Sequence, residues 1–304
     1  MVTTAASNPY VLLRDDWRGK PLLVQLHSVC NETHSIASKL KPHATHFVVT
    51  SHEAYDTAVT TFGIPRNQVT TIELAVDANR LASWAQPMEL RSDFLKQGEH
   101  RLTEELVATA HWLLYFGRFA PEKRISQIAE AVKILNLRGK SWVGMFVGEG
   151  WKGVEIKASI RRTIPKNFIL LPWIDNIGDV IRASDVFICA SEYEGGPMAS
   201  IEALLAGIPI VSTDVGILPS VKFLDPESKQ QQHVYSSLGR NPTSLQIADV
   251  LVKAVGTRSP TERPAIASDL ARRAAGRFNV RRMASDWLRV LQGILATRAG
   301  QVNQ

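Results

Sequence analysis

Two glutamates eight residues apart, Glu194 and Glu202, enclose a stretch whose residue types could bind a phosphate. The stretch reads E-G-G-P-M-A-S-I-E and runs into an apolar segment that is typical of a buried helix. Gly195 and Gly196 let the backbone approach a ligand closely. Pro197 suits the first turn of a helix, where a missing N–H costs nothing. The sequence therefore predicts a turn that opens onto a helix N-terminus.

The first backbone amides of that helix would attract an anion, because they lack partners within the helix and carry partial positive charge. These amides belong to Met198, Ala199 and Ser200. Glu202 follows among apolar neighbours, where a carboxylate is costly unless it has partners. Ribose hydroxyls are suitable partners. In the alternative interpretation, Glu194 is an N-terminal helix carboxylate and Glu202 a surface residue.

A second stretch, G-R-F-A-P-E-K, supplies two cations, Arg118 and Lys123. It follows a predicted strand at Trp112–Phe116 and precedes a helical stripe of apolar residues. Arginine offers a planar fork of donors and lysine a compact charge, so the two could converge on a diphosphate. Basic residues are common in loops, and this stretch gains its weight from the neighbouring phosphate-binding turn.

Two further positions each have two interpretations. Gly148 lies in the V-G-E-G turn after a predicted strand, and this turn could bind a ligand or be an ordinary glycine turn. His27 ends a predicted strand near the N-terminus and could face a cleft or be a half-buried structural histidine.

Short apolar runs alternate with helical stretches through most of the chain. Near-continuous apolar runs are typical of parallel strands buried on both faces, and the alternation predicts a doubly wound α/β architecture. Ligands of such sheets bind at the carboxyl ends of the strands. The predicted strands are Pro21–Leu26, His46–Thr50, Val69–Leu74, Trp112–Phe116, Trp142–Val147, Phe168–Leu171, Val186–Ala190 and Pro209–Ser212.

The charged, weakly apolar segment 83–110 is predicted to be a linker or peripheral helix between two α/β units. The units are a partial N-terminal Rossmann-like domain at 1–82 and a larger Rossmann-like domain at 111–278. A final helix in 279–304, with an apolar face that includes Trp287 and Leu291, is predicted to pack back toward the N-terminal domain.

The composition fits a soluble globular protein: 304 residues, 45% hydrophobic and 21% charged. A chain of this size buries its cores without disulfides or metals, and we interpret Cys30 and Cys189 as buried thiols.

The net charge of +6 favours an acidic partner. Two basic stretches, near 152–166 and 272–282, fit either solvated helix faces or binding patches. The N-terminus lacks signal-peptide features, which predicts a cytoplasmic protein.

Four pieces of the C-terminal half, in order, resemble retaining glycosyltransferases of the GT-B fold, glycosyltransferase family 4. The matching pieces are G-R-x-x-P-E-K, V-G-E-G, A-S-D-V-F-I and E-G-G-P-M-A-S-I-E-A-L-L-A-G-I-P-I-V. The last contains the family's E-x7-E pattern as Glu194 and Glu202. The resemblance extends upstream to the strand that ends at His27 and covers about residues 20–295.

The resemblance implies a metal-independent enzyme without a cofactor that moves a sugar from a nucleoside-diphosphate sugar to an acceptor hydroxyl with retention. It implies that Arg118 and Lys123 neutralise the diphosphate, while Glu194 and His27 lie by the transferred sugar. It also implies a set of donor contacts at Gly148, Ile174 (with the backbone of Trp173, for the base), Gly195, Gly196, Met198, Ala199 and Glu202 (for the ribose).

The N-terminal domain departs from the family pattern. Only about three of its strands are visible, and Glu73 and Leu74-Ala75 replace the Pro and Asn-Gly of the family's I-P-N-G-V-D segment. A shortened sheet leaves an open edge, which favours a homo-oligomer or a completing partner chain. The acceptor would be a glycan or lipid-linked sugar, and the basic helices would suit peripheral contact with an anionic membrane. The alternatives are a nucleotide-sugar-binding protein or partner subunit without transfer and, less favoured by the E-x7-E pattern, a nucleotide-sugar epimerase.

Overall fold

The computed structural model describes most of the chain, in several ranges. These are residues 2–4, 21–81, 87–97, 99–100, 102–164, 166–221, 224, 235–256 and 263–302. Parts of the predicted linker, at 83–86, 98 and 101, lie outside the described residues. Within the described ranges the strands form two separate sheets.

The N-terminal sheet has four parallel strands in sequence order. Its elements are β1 (Val2–Thr4), β2 (Leu23–Leu26), α1 (Asn31–Leu40), β3 (His46–Val49), α2 (His52–Thr60) and β4 (Val69–Thr71). The side chains of Val24 and Phe47 are fully buried at its centre. The sequence predicted β2, β3 and β4 with slightly longer bounds, and it missed β1.

The C-terminal sheet has seven strands. They are β5 (Glu99–His100), β6 (His111–Phe116), β7 (Trp142–Val147), β8 (Phe168–Leu171), β9 (Val186–Cys189), β10 (Ile210–Ser212) and β11 (Tyr235–Ser237). Their order is β11-β10-β9-β6-β7-β8-β5, and every neighbouring pair is parallel except β5 with β8. The sequence missed the two edge strands, β5 and β11.

Helices cover both faces of this sheet. They are α3 (Pro87–Gln97), α4 (Glu104–Thr109), α5 (Ile125–Leu137), α6 (Gly153–Thr163), α7 (Ile177–Arg182), α8 (Met198–Leu205), α9 (Leu218–Val221), α10 (Ser244–Gly256) and α11 (Arg263–Arg277). The helix α12 (Val280–Val302) follows them in the chain. Every residue of β7, β8 and β9 is buried, as the continuous apolar runs predicted. Two large apolar clusters pack against the sheet. The predicted α/β class with two parallel sheets is confirmed. Both cysteines are free thiols; Cys189 is buried and Cys30 half-buried.

The described part of the predicted linker belongs to the C-terminal core. Leu90 and Phe94 of α3 and Val107 of α4 are buried in one of its apolar clusters, and β5 extends its sheet. Arg91 of α3 donates to the Ala183 carbonyl at 2.8 Å and to Asp185 Oδ2 at 3.0 Å. The sequence did not predict this role because the segment has a low apolar content. A few buried side chains are enough to anchor it.

The final helix lies beside the N-terminal sheet. Thr45, His46 and Thr70 on one side and Arg289 and Ile294 of α12 on the other help to line a shared cavity of about 800 Å³. None of the α12 side chains that the structure describes is fully buried. No helix in the described part of the chain is long and apolar enough to cross a membrane.

The Arg91–Asp185 ion pair gives a test of this packing, because its side chains are only 9% and 12% exposed. Asp185→Ala should lower the free energy of unfolding by about 3–5 kcal/mol, since it leaves a buried guanidinium without its partner. Urea denaturation measures the change. The control is Arg138→Met, which breaks an exposed pair with Asp249 and should cost less than about 1 kcal/mol. Equal losses in the two variants would contradict the anchoring role.

Candidate active site

The carboxyl ends of the central strands meet at one edge of the C-terminal sheet. Phe116 lies opposite Val147, Val147 opposite Leu171, and Cys189 opposite Ser212. The loops that follow these strands therefore gather at that edge, where a doubly wound sheet binds its ligand. These loops contain most of the residues that the sequence singled out.

Lys123 and Glu194 come together at this edge although they lie 71 residues apart. The Lys123 ammonium donates to Glu194 Oε1 at 2.6 Å, and the two side chains are 16% and 17% exposed. Ser191 donates to the same oxygen at 2.8 Å. All three residues line a cavity of about 210 Å³. The structure thus joins the cation of one predicted stretch to the carboxylate of the other.

The N-terminus of α8 opens into the same cavity, whose lining includes Met198, Ala199 and Ser200. The predicted set of three free amides needs one correction: the Ser200 amide donates to the Pro197 carbonyl at 3.0 Å. The tight first turn takes up this donor. The Ser200 hydroxyl, in contrast, is buried and has no hydrogen-bond partner. A buried unpaired hydroxyl is costly, and a ligand group that bonded to it would remove that cost; the sequence pattern did not single out this hydroxyl.

Arg118 lines the cavity but is directed toward solvent. Its guanidinium is 60% exposed and donates to Glu122 Oε1 at 2.7 Å. The buried Tyr115 hydroxyl donates to the Arg118 carbonyl at 2.8 Å and so fixes the backbone of the loop. Burial, followed by nearby acidic groups, raises the pKa of Tyr115 well above its usual value, and the hydroxyl stays protonated as a donor.

Glu202 lies one turn further along α8 and is half-buried. It is not among the residues that line the cavity. Desolvation raises the pKa of its carboxyl, and the nearby charge of Arg80 partly opposes this shift. A half-buried carboxylate with this weak compensation remains available for a ligand's hydroxyl groups.

Gly148 and Ile174 also lie outside the cavity lining. Gly148 has φ +138°, and a Cβ there would lie 2.1 Å from the Gly117 carbonyl oxygen. This glycine lets the 117–123 loop lie directly on the 148–150 turn. Ile174 packs against one of the two apolar clusters of the C-terminal sheet, while its neighbour Trp173 is 61% exposed.

His27 reaches the site through its backbone. A Cβ on Gly195 would lie 1.9 Å from the His27 carbonyl oxygen and 2.8 Å from Thr50 Oγ1. The Glu194–Gly196 turn therefore contacts the carboxyl ends of β2 and β3. The His27 ring itself is exposed, and loss of hydration from neighbouring atoms lowers its pKa. This shift favours the neutral form of the ring at pH 7.

The comparisons with known proteins agree with this geometry. Residues 98–222 match the family described as Glycosyl transferases group 1. This stretch is therefore similar to group 1 glycosyltransferases. A relative from Escherichia coli, named UDP-Gal:alpha-D-GlcNAc-diphosphoundecaprenol alpha-1,3-galactosyltransferase, is 34% identical over 104 residues, or 33% of this chain and 27% of the relative. The chain spans about a quarter of the length of the curated relatives it matches.

Solved structures extend the likeness to both sheets. A glycosyltransferase from Rickettsia africae ESF-5 aligns with a TM-score of 0.74 at 15% identity, over 92% of this chain and 72% of that one. Alr3699/HepE from Anabaena, solved with UDP and glucose, aligns with a TM-score of 0.72 at 19% identity, over 90% and 72%. These alignments show that the chain has the GT-B fold.

The sequence interpretation missed the hydroxyls of Ser191, Ser200 and Thr50. Ser191 bonds to Glu194, Thr50 lies next to Gly195, and Ser200 lines the cavity, yet a lone serine or threonine hydroxyl carries no distinguishing sequence pattern. In the described part of the chain, no group of three or more His, Cys, Asp or Glu side chains could hold a metal ion. The expectation of metal-independent chemistry remains a prediction.

The contact between Gly195 and His27 can be tested with a matched pair of variants. Gly195→Ala places its Cβ 1.9 Å from a backbone oxygen that cannot rotate away, whereas Gly196→Ala meets the flexible Leu74 side chain at 2.8 Å. We expect Gly195→Ala to lower the free energy of unfolding by about 1–3 kcal/mol, and Gly196→Ala by less. Chemical denaturation measures both. The packing described here would be wrong if the order were reversed.

Proposed function

We propose that this chain transfers a sugar from a nucleoside-diphosphate sugar to an acceptor hydroxyl, with retention of configuration and without a divalent metal. The observation that carries the proposal is the Lys123–Glu194 ion pair at 2.6 Å, set beside the N-terminus of α8 in a cavity of about 210 Å³. An ammonium, helix amides and an unpaired hydroxyl around one cavity suit a diphosphate.

The chemistry requires stabilisation of the charge that grows on the leaving diphosphate. The acceptor oxygen bonds to the anomeric carbon on the face from which the diphosphate departs, and the departing oxygen takes the hydroxyl proton. Lys123 and the amides of Met198 and Ala199 provide fixed donors for that charge, and the exposed Arg118 would turn toward the same diphosphate when it binds. Each such donor contributes about 3 kcal/mol to transition-state stabilisation. Glu194 lies where the transferred sugar would sit, and His27 borders the acceptor side.

The nucleoside is assigned to the region around Glu202 and Ile174. The half-buried Glu202 carboxylate can accept hydrogen bonds from ribose hydroxyls. The backbone at Trp173 and Ile174, at the end of β8, is assigned to the base. The structural neighbour solved with UDP and glucose supports uridine nucleotides as the first donors to test.

The first prediction from this proposal concerns Lys123. In titrations with a panel of nucleotide sugars and nucleoside diphosphates, Lys123→Ala should reduce the affinity for the preferred nucleotide by about tenfold to a hundredfold, as loss of a charge-assisted contact does. The control is Lys133→Ala, which removes an exposed α5 lysine paired with Glu130 and should leave binding unchanged. Unaltered binding in Lys123→Ala would sink the assignment.

A second prediction uses the raised pKa of Glu202. A carboxyl whose folded-state pKa is raised contributes stability below its unfolded pKa, and this contribution is lost as the pH rises through the folded pKa. Glu202→Gln removes that loss, so without ligand at pH 7 it should be at least as resistant to heat as the wild type. The same variant should bind the nucleotide more weakly. A variant that is destabilised at pH 7 and still binds normally would argue for a purely structural Glu202.

Donor turnover in the same panel separates the enzyme from a binding protein. Hydrolysis or transfer with the wild-type chain supports the proposed activity. Selective binding without turnover under any acceptor condition would favour a catalytically impaired nucleotide-sugar-binding protein or a partner subunit. The absence of binding by any donor would refute both assignments.

The proposed acceptor is a glycan or lipid-linked sugar, and the proposal includes peripheral contact with an anionic membrane. The E. coli relative is named for a diphosphoundecaprenol substrate. Beside the site, Trp151 and Val154 are 67% and 81% exposed, and Lys152 lies over the Trp151 ring. Exposed apolar and basic side chains together suit an anionic lipid surface.

Sedimentation with lipid vesicles tests the membrane contact. Wild-type protein should sediment with phosphatidylglycerol vesicles but not with phosphatidylcholine vesicles, and Trp151→Ser should weaken the sedimentation with phosphatidylglycerol. Equal sedimentation with both lipids would refute the proposed contact with an anionic membrane.

A further inference from the structure

The geometry points to Glu53, on α2 beside the N-terminal sheet, as a positioning residue that holds two loops of the donor site in the C-terminal sheet. This inference rests on the proposed function, because it assigns the loops to a donor site. Glu53 does not itself touch the predicted donor contacts. It acts through Gly216, which packs on the turn that carries Glu194, and through Arg240, which bonds to the residue after Lys123.

Both carboxylate oxygens of Glu53 are used, and both contact the C-terminal unit. Oε2 accepts a hydrogen bond from the Gly216 amide at 2.5 Å. Oε1 lies 2.7 Å from the Arg240 guanidinium, and the Glu53 side chain is 20% exposed. A carboxylate can accept from an amide and a guanidinium at the same time. A neutral amide side chain does this less well, because one of its two terminal groups is an NH2 donor.

The first branch runs through Gly216 to the turn that carries Glu194. Gly216 has φ +58°, and a Cβ there would lie 2.6 Å from the Gly195 carbonyl oxygen and 3.0 Å from that of Glu194. The backbone of Gly216 therefore packs directly on the turn that carries Glu194. The bond from Glu53 to the Gly216 amide keeps this contact closed.

The second branch runs through Arg240 to the residue after Lys123. The Arg240 carbonyl accepts from Arg124 at 2.9 Å, and Asn241 Oδ1 accepts from the same guanidinium at 2.7 Å. Arg124 has φ +52°, a left-handed conformation that is uncommon for a residue with a side chain. Such a conformation persists only where the surroundings hold it. The bonds of Arg124 thus fix the backbone beside Lys123.

Glu53 consequently restrains, from the N-terminal unit, the loops that carry both partners of the Lys123–Glu194 pair. When α2 moves away with the N-terminal sheet, the Gly216 amide and the Arg240 side chain lose their common acceptor. The two loops then become free to shift. The positions of the donor-site charges are in this way coupled to the position of the N-terminal unit.

Hydrogen exchange measured by mass spectrometry tests the coupling without a substrate. Glu53→Ala should accelerate amide exchange in segments 192–198 and 213–218 by about tenfold or more, since a bond to a charged group is lost. Glu53→Gln should give an intermediate increase. Arg240→Met should accelerate exchange only around Arg124, on the second branch. Asp56→Asn, which changes an exposed carboxylate of the same helix, should match the wild type. Wild-type exchange in both segments of Glu53→Ala would overturn the inference.

Kinetics distinguish a positioning role from general destabilisation. In Glu53→Ala we expect kcat to fall by about tenfold to a hundredfold, as small misplacements of catalytic groups produce, with nucleoside-diphosphate affinity changed less than about threefold because the phosphate contacts remain. An unchanged kcat would overturn the inference. If the wild type binds no donor, the proposed function fails, and the exchange experiment still decides whether Glu53 holds the loops.

Discussion

The ion pair between Lys123 and Glu194 is the interaction around which the site is arranged. A pair this close to the interior loses hydration, and such a loss is offset only when further hydrogen bonds satisfy the charges. Ser191 supplies one of them at 2.8 Å. Under the proposed function, an incoming diphosphate competes with Glu194 for the ammonium. The Glu194 carboxylate then becomes available to the sugar, so donor binding itself would release this carboxylate from the ion pair.

Direct contacts between backbones set the geometry of this pair. Gly148 lies against Gly117, Gly195 against the His27 carbonyl, and Gly216 against Gly195. A contact between backbones cannot relax by rotating a side chain, so each one fixes the distance between two loops. Catalysis by fixed dipoles depends on such preorganisation. The glycines of this site therefore matter for how closely the loops stack as much as for how closely a ligand approaches.

The sequence predicted Lys123 and Glu194 because each lies in a local strand–turn–helix pattern that repeats along an α/β chain. It did not predict Glu53, since the bond to Gly216 joins residues 163 positions apart and no local pattern reports it. The edge strands β1, β5 and β11 were missed for a different reason. None of the three contains more than one apolar residue or lies in a longer apolar run, and pairing with a neighbour defines them.

Glu73 shows how a departure from a family pattern can be absorbed. The resemblance expected proline here, and Glu73 is one of the departures of the N-terminal domain from the family pattern. In the structure, the Glu73 carboxylate accepts from the Arg277 guanidinium, which also donates to the Ser220 carbonyl at 3.0 Å. The Val76 amide donates to the Phe278 carbonyl at 3.2 Å. The connection is therefore tied to the end of α11, just before the chain crosses back along α12. The arginines near 272–282 thus include side chains that hold the two units together, a role that charge patterning alone could not separate from a solvated face or a binding patch.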